Sequence, residues 1–328
     1  MYIKLYGIQF LAYSKMEEFL RSKGFNPTGW SRARIVSTAW DSAKTQKEKQ
    51  YVSRWVQETR PRRYGYTVKT PSKECTWVTR FINYLCRKFL PEHVFAEYTY
   101  LQPYREALFA YLIKDSNAVL AETIRIVMPN NNTVTLLEWP RTVYTERYIL
   151  RPVLIEFPGV SHYTLIFQDQ NADTDEYFES NGVARWTSAV TSALREYLPN
   201  LILPEEYCPK RALQKLTGDY LCANWSLLYG FLRIHCPELN RQELIDLMSN
   251  VDLERLIYGW TCYLSEQLEK SNIAAYVDIR DKLDKVLDIL KNQVPYLHEQ
   301  RSKLDRALVS GNLQQAKIIY DKLLVVGF

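Results

Sequence analysis

Residues 147–182 read RYILRPVLIEFPGVSHYTLIFQDQNADTDEYFESNG, and this stretch decides the fold. Arg147–Phe157 and His162–Gln168 are rich in β-branched and aromatic residues, and the Pro158-Gly159 pair between them is a turn. A polar loop, Asp169–Asp175, leads to a third short run, Glu176–Glu179, before Asn181-Gly182. Three strands in succession on short connections predict an antiparallel sheet. Upstream, Thr123–Met128 and Thr133–Glu138 flank Asn130-Asn131-Asn132 as a further hairpin.

Helical patterns lie on both sides of these strands. Ser14…Glu17 has capping-box spacing, and Gly24 with Pro27 closes that helix. A polar helix is expected over Asp41–Glu58, stopping at Pro61. Thr70-Pro71 begins another, in which Cys75, Val78, Ile82, Leu85 and Phe89 recur at helical spacing until Pro91. Downstream, helices are predicted over Thr187–Tyr197, from Cys222 to Pro237, and after an Asn240…Glu243 cap. From Ala274 onward a long amphipathic pattern is kinked or split at Pro295, and a last helix follows Gly311-Asn312. The chain thus divides into a mainly helical region over 1–115, an α+β core over 116–272 and a C-terminal helical hairpin over 273–328. The core expected is a small antiparallel sheet with the Cys222 helix packed against it.

The composition is that of an ordinary globular protein: 328 residues, 47% hydrophobic, 24% charged, with 24 Tyr and only 11 Gly. Collagen-like, low-complexity and disordered classes are excluded. No apolar run reaches the roughly 18 residues of a membrane span, and the N-terminus lacks a basic start and a cleavage site. A soluble, intracellular protein with no membrane partner is expected. Six scattered cysteines without a CxxC pair argue against a disulfide framework or a structural zinc. The net charge of +5 conceals an asymmetry, because residues 1–100 carry 18 Lys and Arg against 8 Asp and Glu. Arg60, Arg62, Arg63, Lys69, Arg87 and Lys88 interleave there with Trp30, Trp40, Trp55, Trp77, Tyr64 and Tyr66. Such a front suits nucleic acid; the competing reading is a core of tryptophans under a solvated charged face.

Four residues could carry chemistry. His162 opens one strand and Glu179 closes the next, so in a paired sheet the carboxylate can hold one imidazole nitrogen and leave the other for a thiol. Asn181 competes with Glu179 for that orienting role. Cys222 follows a Gly218-Asp219 turn where an apolar helical run begins, and a helix N-terminus favours a thiolate. Gln214 could offer a side-chain N–H to an oxyanion beside the backbone N–H of Cys222. The other histidines fit less well. His235 lies 13 residues beyond Cys222, about 20 Å along one helix. His298 falls in the C-terminal amphipathic pattern and is expected to be solvated, and His93 has no carboxylate at comparable spacing. His235-Cys236 is at most half a metal site.

The ordered set His162, Phe178-Glu179-Ser180-Asn181-Gly182, Gln214 and Cys222-Ala223-Asn224-Trp225-Ser226 through Cys236-Pro237 resembles the adenovirus-type and SUMO-protease-type cysteine peptidases, most of all members from large DNA viruses. The resemblance spans about residues 147–248. Tyr163 stands where the family often has Trp, Ala223 where it often has Gly, and the interval from Gln214 to Cys222 is slightly long. The resemblance implies a papain-like core with Cys222 as nucleophile, His162 as base, Glu179 orienting it and Gln214 on the oxyanion. It implies no metal or organic cofactor, and a protein substrate such as a viral precursor or a ubiquitin-like conjugate. It also adds weight to a nucleic-acid partner for the basic region. An acyltransferase with the same residues, or a non-catalytic scaffold, are the rival expectations. The C-terminal helices offer a surface for a partner or for self-association.

Overall fold

The computed structural model describes residues 16–27, isolated positions between 35 and 52, then 76–88, 101–172, 175–202, 213–217, 219–290, 294–326 and 328. Its centre is β4 (Tyr148–Phe157), ten residues with partners on both sides. On one side β5 (Val160–Asp169) runs antiparallel over its full length, from Phe157↔Val160 to Tyr148↔Asp169. Gly159 in the two-residue turn takes φ +79°, a left-handed value that glycine adopts without steric cost. On the other side two strands lie end to end, both parallel to β4: β1 (Ala118–Leu120) along Tyr148–Leu150 and β2 (Ile124–Val127) along Val153–Glu156. Pro152, which has no N–H to give, falls between the two registers, so mid-strand it breaks no ladder there.

The sheet continues from β2 to β3 (Leu136–Glu138), antiparallel, and from β5 to β6 (Asp175–Phe178), antiparallel. A two-residue strand, β7 (Leu201–Ile202), joins β6 in parallel. The α+β class holds, and the result is a curled, mixed seven-stranded sheet with helices at both ends. The wholly antiparallel sheet expected from sequence is therefore corrected. β1 and β7 are too short to leave a periodic signal, and pattern alone does not tell which way β2 meets β4.

Around the sheet lie α1 (Thr76–Lys88), α2 (Arg105–Ile113), α3 (Thr187–Leu194), α4 (Leu213–Thr217), α5 (Cys222–His235), α6 (Arg241–Ser249), α7 (Leu253–Lys270), α8 (Ile273–Leu290), α9 (Pro295–Val309) and α10 (Leu313–Val325). The Asn240 capping box is present in both directions, with each bond at 2.9 Å. Pro295 opens α9 as a new helix, so the expected C-terminal hairpin is a set of three helices. A short helix covers 16–22 and ends at Gly24, φ +89°. The expected Ser14 cap, the Thr70-Pro71 start, Pro61, Pro91, Cys75, Cys208, His93, Gly218 and most of Asp41–Glu58 lie outside the described residues, as do Arg60, Arg62, Arg63, Lys69, Trp30, Trp40, Trp55, Tyr64 and Tyr66.

The two faces of the sheet carry different cores. Leu150, Leu165 and Phe167 meet α5, and this apolar cluster runs on through α1, α2 and α6–α10, across positions 115 and 272. Ile126, Val153, Ile155 and Ile166 meet Val190 and Leu194 of α3 on the opposite face. Helix α5 lies so close to the sheet that a Cβ on Gly230 would stand 2.3 Å from Leu150 Cδ2. At its far end Arg233 forms a bidentate pair with Glu176 of β6 at 2.9 and 3.0 Å, and Tyr229 donates to the same carboxylate at 2.7 Å. Together these contacts fix where the N-terminus of α5 emerges. No described helix is long and apolar enough to cross a membrane.

Candidate active site

The period of two along β5 settles which way His162 points. It shares parity with Ile166, on the α3 face, while Tyr163 shares parity with Leu165, on the α5 face. The β5–β6 ladder ends at the pair Leu165↔Phe178. One step further Glu179 stands opposite Thr164, on the same face as His162 and diagonal to it. The side chains meet: His162 Nε2–H donates to Glu179 Oε1 at 2.7 Å. Nδ1 is the ring nitrogen left for the thiol.

Glu179 is fully buried and held by two further donors. The Asn181 backbone N–H reaches Oε1 at 2.9 Å, and the Trp186 indole N–H reaches Oε2 at 3.2 Å. Of the two candidates for orienting the imidazole, Glu179 therefore does so; Asn181 contributes its main chain to the same carboxylate and lines the cavity. The Trp186 ring also stands edge-on to the imidazole, with centroids 5.2 Å apart. It shelters the His162–Glu179 pair from water and so strengthens it.

Cys222 is the first residue of α5, whose cap Leu221 offers no side-chain bond. The first N–H groups of a helix have no intrahelical acceptor, and no side-chain cap at Leu221 takes those of α5. The Cys222 side chain and the His162 imidazole line the same cavity. Burial opposes a charge on that ring, but the Glu179 carboxylate, by its charge and by accepting from Nε2, together with the nearby Cys222 side chain, outweighs it and raises His162 to about 10. The ring therefore keeps both protons at neutral pH, as an imidazolium beside a sulfur nucleophile requires.

Gln214, on α4, is buried and anchored at both ends of its amide. Ser180 Oγ–H donates to its Oε1 at 2.7 Å, and its Nε2 donates to the Asp219 carbonyl at 2.9 Å. A primary amide carries two N–H bonds, so one remains for a ligand. His162, Asn181, Gln214, Asp219 and Cys222 line one cavity of about 580 Å³, rimmed by Asn130, Val160, Trp186 and Tyr220. Glu179 stands behind His162. All four expected residues thus converge.

Three contributors were not assigned from sequence. Ser180 and Trp186 act through hydrogen bonds that no spacing rule reveals. Asp219 was visible only as half of a Gly-Asp turn, yet its carboxylate accepts from Leu221 N–H at 2.8 Å, from the Trp225 indole at 3.1 Å and from the Thr217 hydroxyl. The rival His235 donates Nδ1–H to the Phe231 carbonyl at 2.8 Å and stacks on Trp77, far along α5 from the thiol. His298 is half-buried rather than solvated. No cluster of three metal-ligating side chains occurs among the described residues.

No protein-family model, curated protein or solved structure matches the chain. The chemistry of the site rests on its own geometry.

Proposed function

We propose that the chain is a papain-like thiol peptidase. The observation that carries this reading is the position of His162, held by Glu179 at 2.7 Å through Nε2 and lining one cavity with Cys222 at the start of α5. Cys222 Sγ attacks the substrate carbonyl, and the carbonyl electron pair moves to oxygen. That oxygen is met by the Cys222 backbone N–H and the remaining Gln214 N–H. His162, already protonated, gives its proton to the departing amine, then takes one from the water that hydrolyses the thioester. Glu179 keeps the ring in register and compensates its charge.

The cavity presents Phe157, Trp186, Tyr220, Pro129 and Pro158 beside asparagine amides, a lining that suits a neutral stretch of polypeptide. A viral precursor protein or a ubiquitin-like conjugate is the substrate class we favour, acted on inside a cell. The basic N-terminal region is the part proposed to meet nucleic acid. Replacing Cys222 by Ala tests the reading: peptide-bond cleavage should fall by at least about 10³-fold with the fold intact. Turnover retained in that variant rules out a thiol mechanism.

A further inference from the structure

Asp219 lies three residues before the nucleophile, between α4 and α5, and it is tied to both. Its main-chain carbonyl holds the Gln214 amide at 2.9 Å. Its carboxylate holds Leu221 N–H, the Trp225 indole of α5 and the Thr217 hydroxyl of α4. The residue is 6% exposed. Burying a carboxylate is costly, and here burial outweighs the three donors and raises its pKa to about 6. A group that costs stability and sits between two functional side chains is better explained by what it positions.

We infer that Asp219 is a positioning residue that builds the oxyanion site, fixing the Gln214 amide and the first N–H groups of α5 in one frame. The inference rests on the peptidase reading. It predicts that Asp219 serves the tetrahedral oxyanion and not the reactivity of the thiol.

The hydrogen-bond inventory shows why a carboxylate is needed. In Asp219→Asn one oxygen still accepts from Leu221 N–H, but the amide group then faces two donors. The Thr217 hydroxyl can turn to the Gln214 carbonyl, 2.9 Å away, and accept from the amide. The Trp225 indole is fully buried and has no such alternative. Trp225→Phe in the same chain should therefore relieve the conflict.

Two reactions of Cys222 separate the roles. Iodoacetamide is attacked at a saturated carbon, iodide leaves, and no oxyanion forms. With N-acetylglycinal, Sγ bonds to the carbonyl carbon, the π pair goes to oxygen, and the thiol proton ends there as a hemithioacetal. The full chain is assayed by ¹³C NMR of the aldehyde adduct and by mass spectrometry of alkylated Cys222. Asp219→Asn should weaken the adduct by at least about tenfold, leave the alkylation rate within about threefold, and recover most of the adduct with Trp225→Phe. If Asp219→Asn does not fold, Thr217→Val removes a single donor and should weaken the adduct by about threefold at unchanged alkylation. An undiminished adduct, a parallel fall in both reactions, or no recovery in the double variant overturns the inference alone. A wild-type chain that forms no adduct at Cys222 overturns the peptidase reading and this inference with it.

Discussion

His162 Nε2 and Glu179 Oε1 stand 2.7 Å apart although 17 positions separate them in the chain. The distance follows from the β5–β6 register, which brings the two residues to one face of the sheet and one diagonal step apart. The pair is closed to solvent by Trp186, and its free side is turned toward α5.

Replacing Glu179 by Gln removes the charge that holds the imidazolium. Peptidase turnover should fall by roughly 10²–10⁴-fold, the range for losing effective general acid–base catalysis. Without that charge His162 loses its proton at lower pH, so the alkaline limb of kcat/KM should shift downward. A pH–rate profile of both proteins checks this; an unmoved limb contradicts the assignment.

The same charge makes stability depend on pH. The folded His162 titrates at about 10, above its ordinary 6.5. Its contribution is complete below pH 6.5 and is lost as pH rises through about 10. Stability should fall between pH 7 and 9 by at most about 1.4 kcal/mol per pH unit, the limit for one proton. Denaturant midpoints should show this slope in the wild type and flatten in Glu179→Gln.

Helices α1 and α7 touch at Gly259, where a Cβ would stand 1.8 Å from the Leu85 carbonyl oxygen. Alanine ordinarily favours a helix over glycine by about 1 kcal/mol. Here backbone blocks the methyl group, so the helices must part. Gly259→Ala should lower stability by about 1–3 kcal/mol, seen as a fall in Tm; a rise would mean that α1 does not pack there.

Much of this site was legible in the sequence. His162, Glu179 and Cys222 could be named because a strand end, a turn and a helix start each leave a local mark, and because antiparallel pairing converts a spacing of 17 into contact. The Asn240 cap and the split at Pro295 were readable for the same reason. What the pattern withheld depends on tertiary packing. The parallel partners of β4 are three- and four-residue strands. α7 does carry Leu253, Leu256, Ile257, Trp260, Leu264 and Leu268 at helical spacing, but the close approach of its Gly259 to α1 leaves no mark in that pattern. Trp186 and Ser180 act on Glu179 and Gln214 through bonds that only the folded chain brings together.

The alkylation rate of Cys222 at pH 6.5, compared between the wild type and His162→Ala, tests the central claim most directly. An imidazolium beside the sulfur raises its reactivity as a nucleophile above that of an isolated thiol. Iodoacetamide should therefore label Cys222 at least about tenfold faster than free N-acetylcysteine, and the advantage should vanish in His162→Ala. Labelling of Cys222 at the rate of an ordinary thiol, unchanged when His162 is removed, would contradict the nucleophile–imidazole pair and the function built on it.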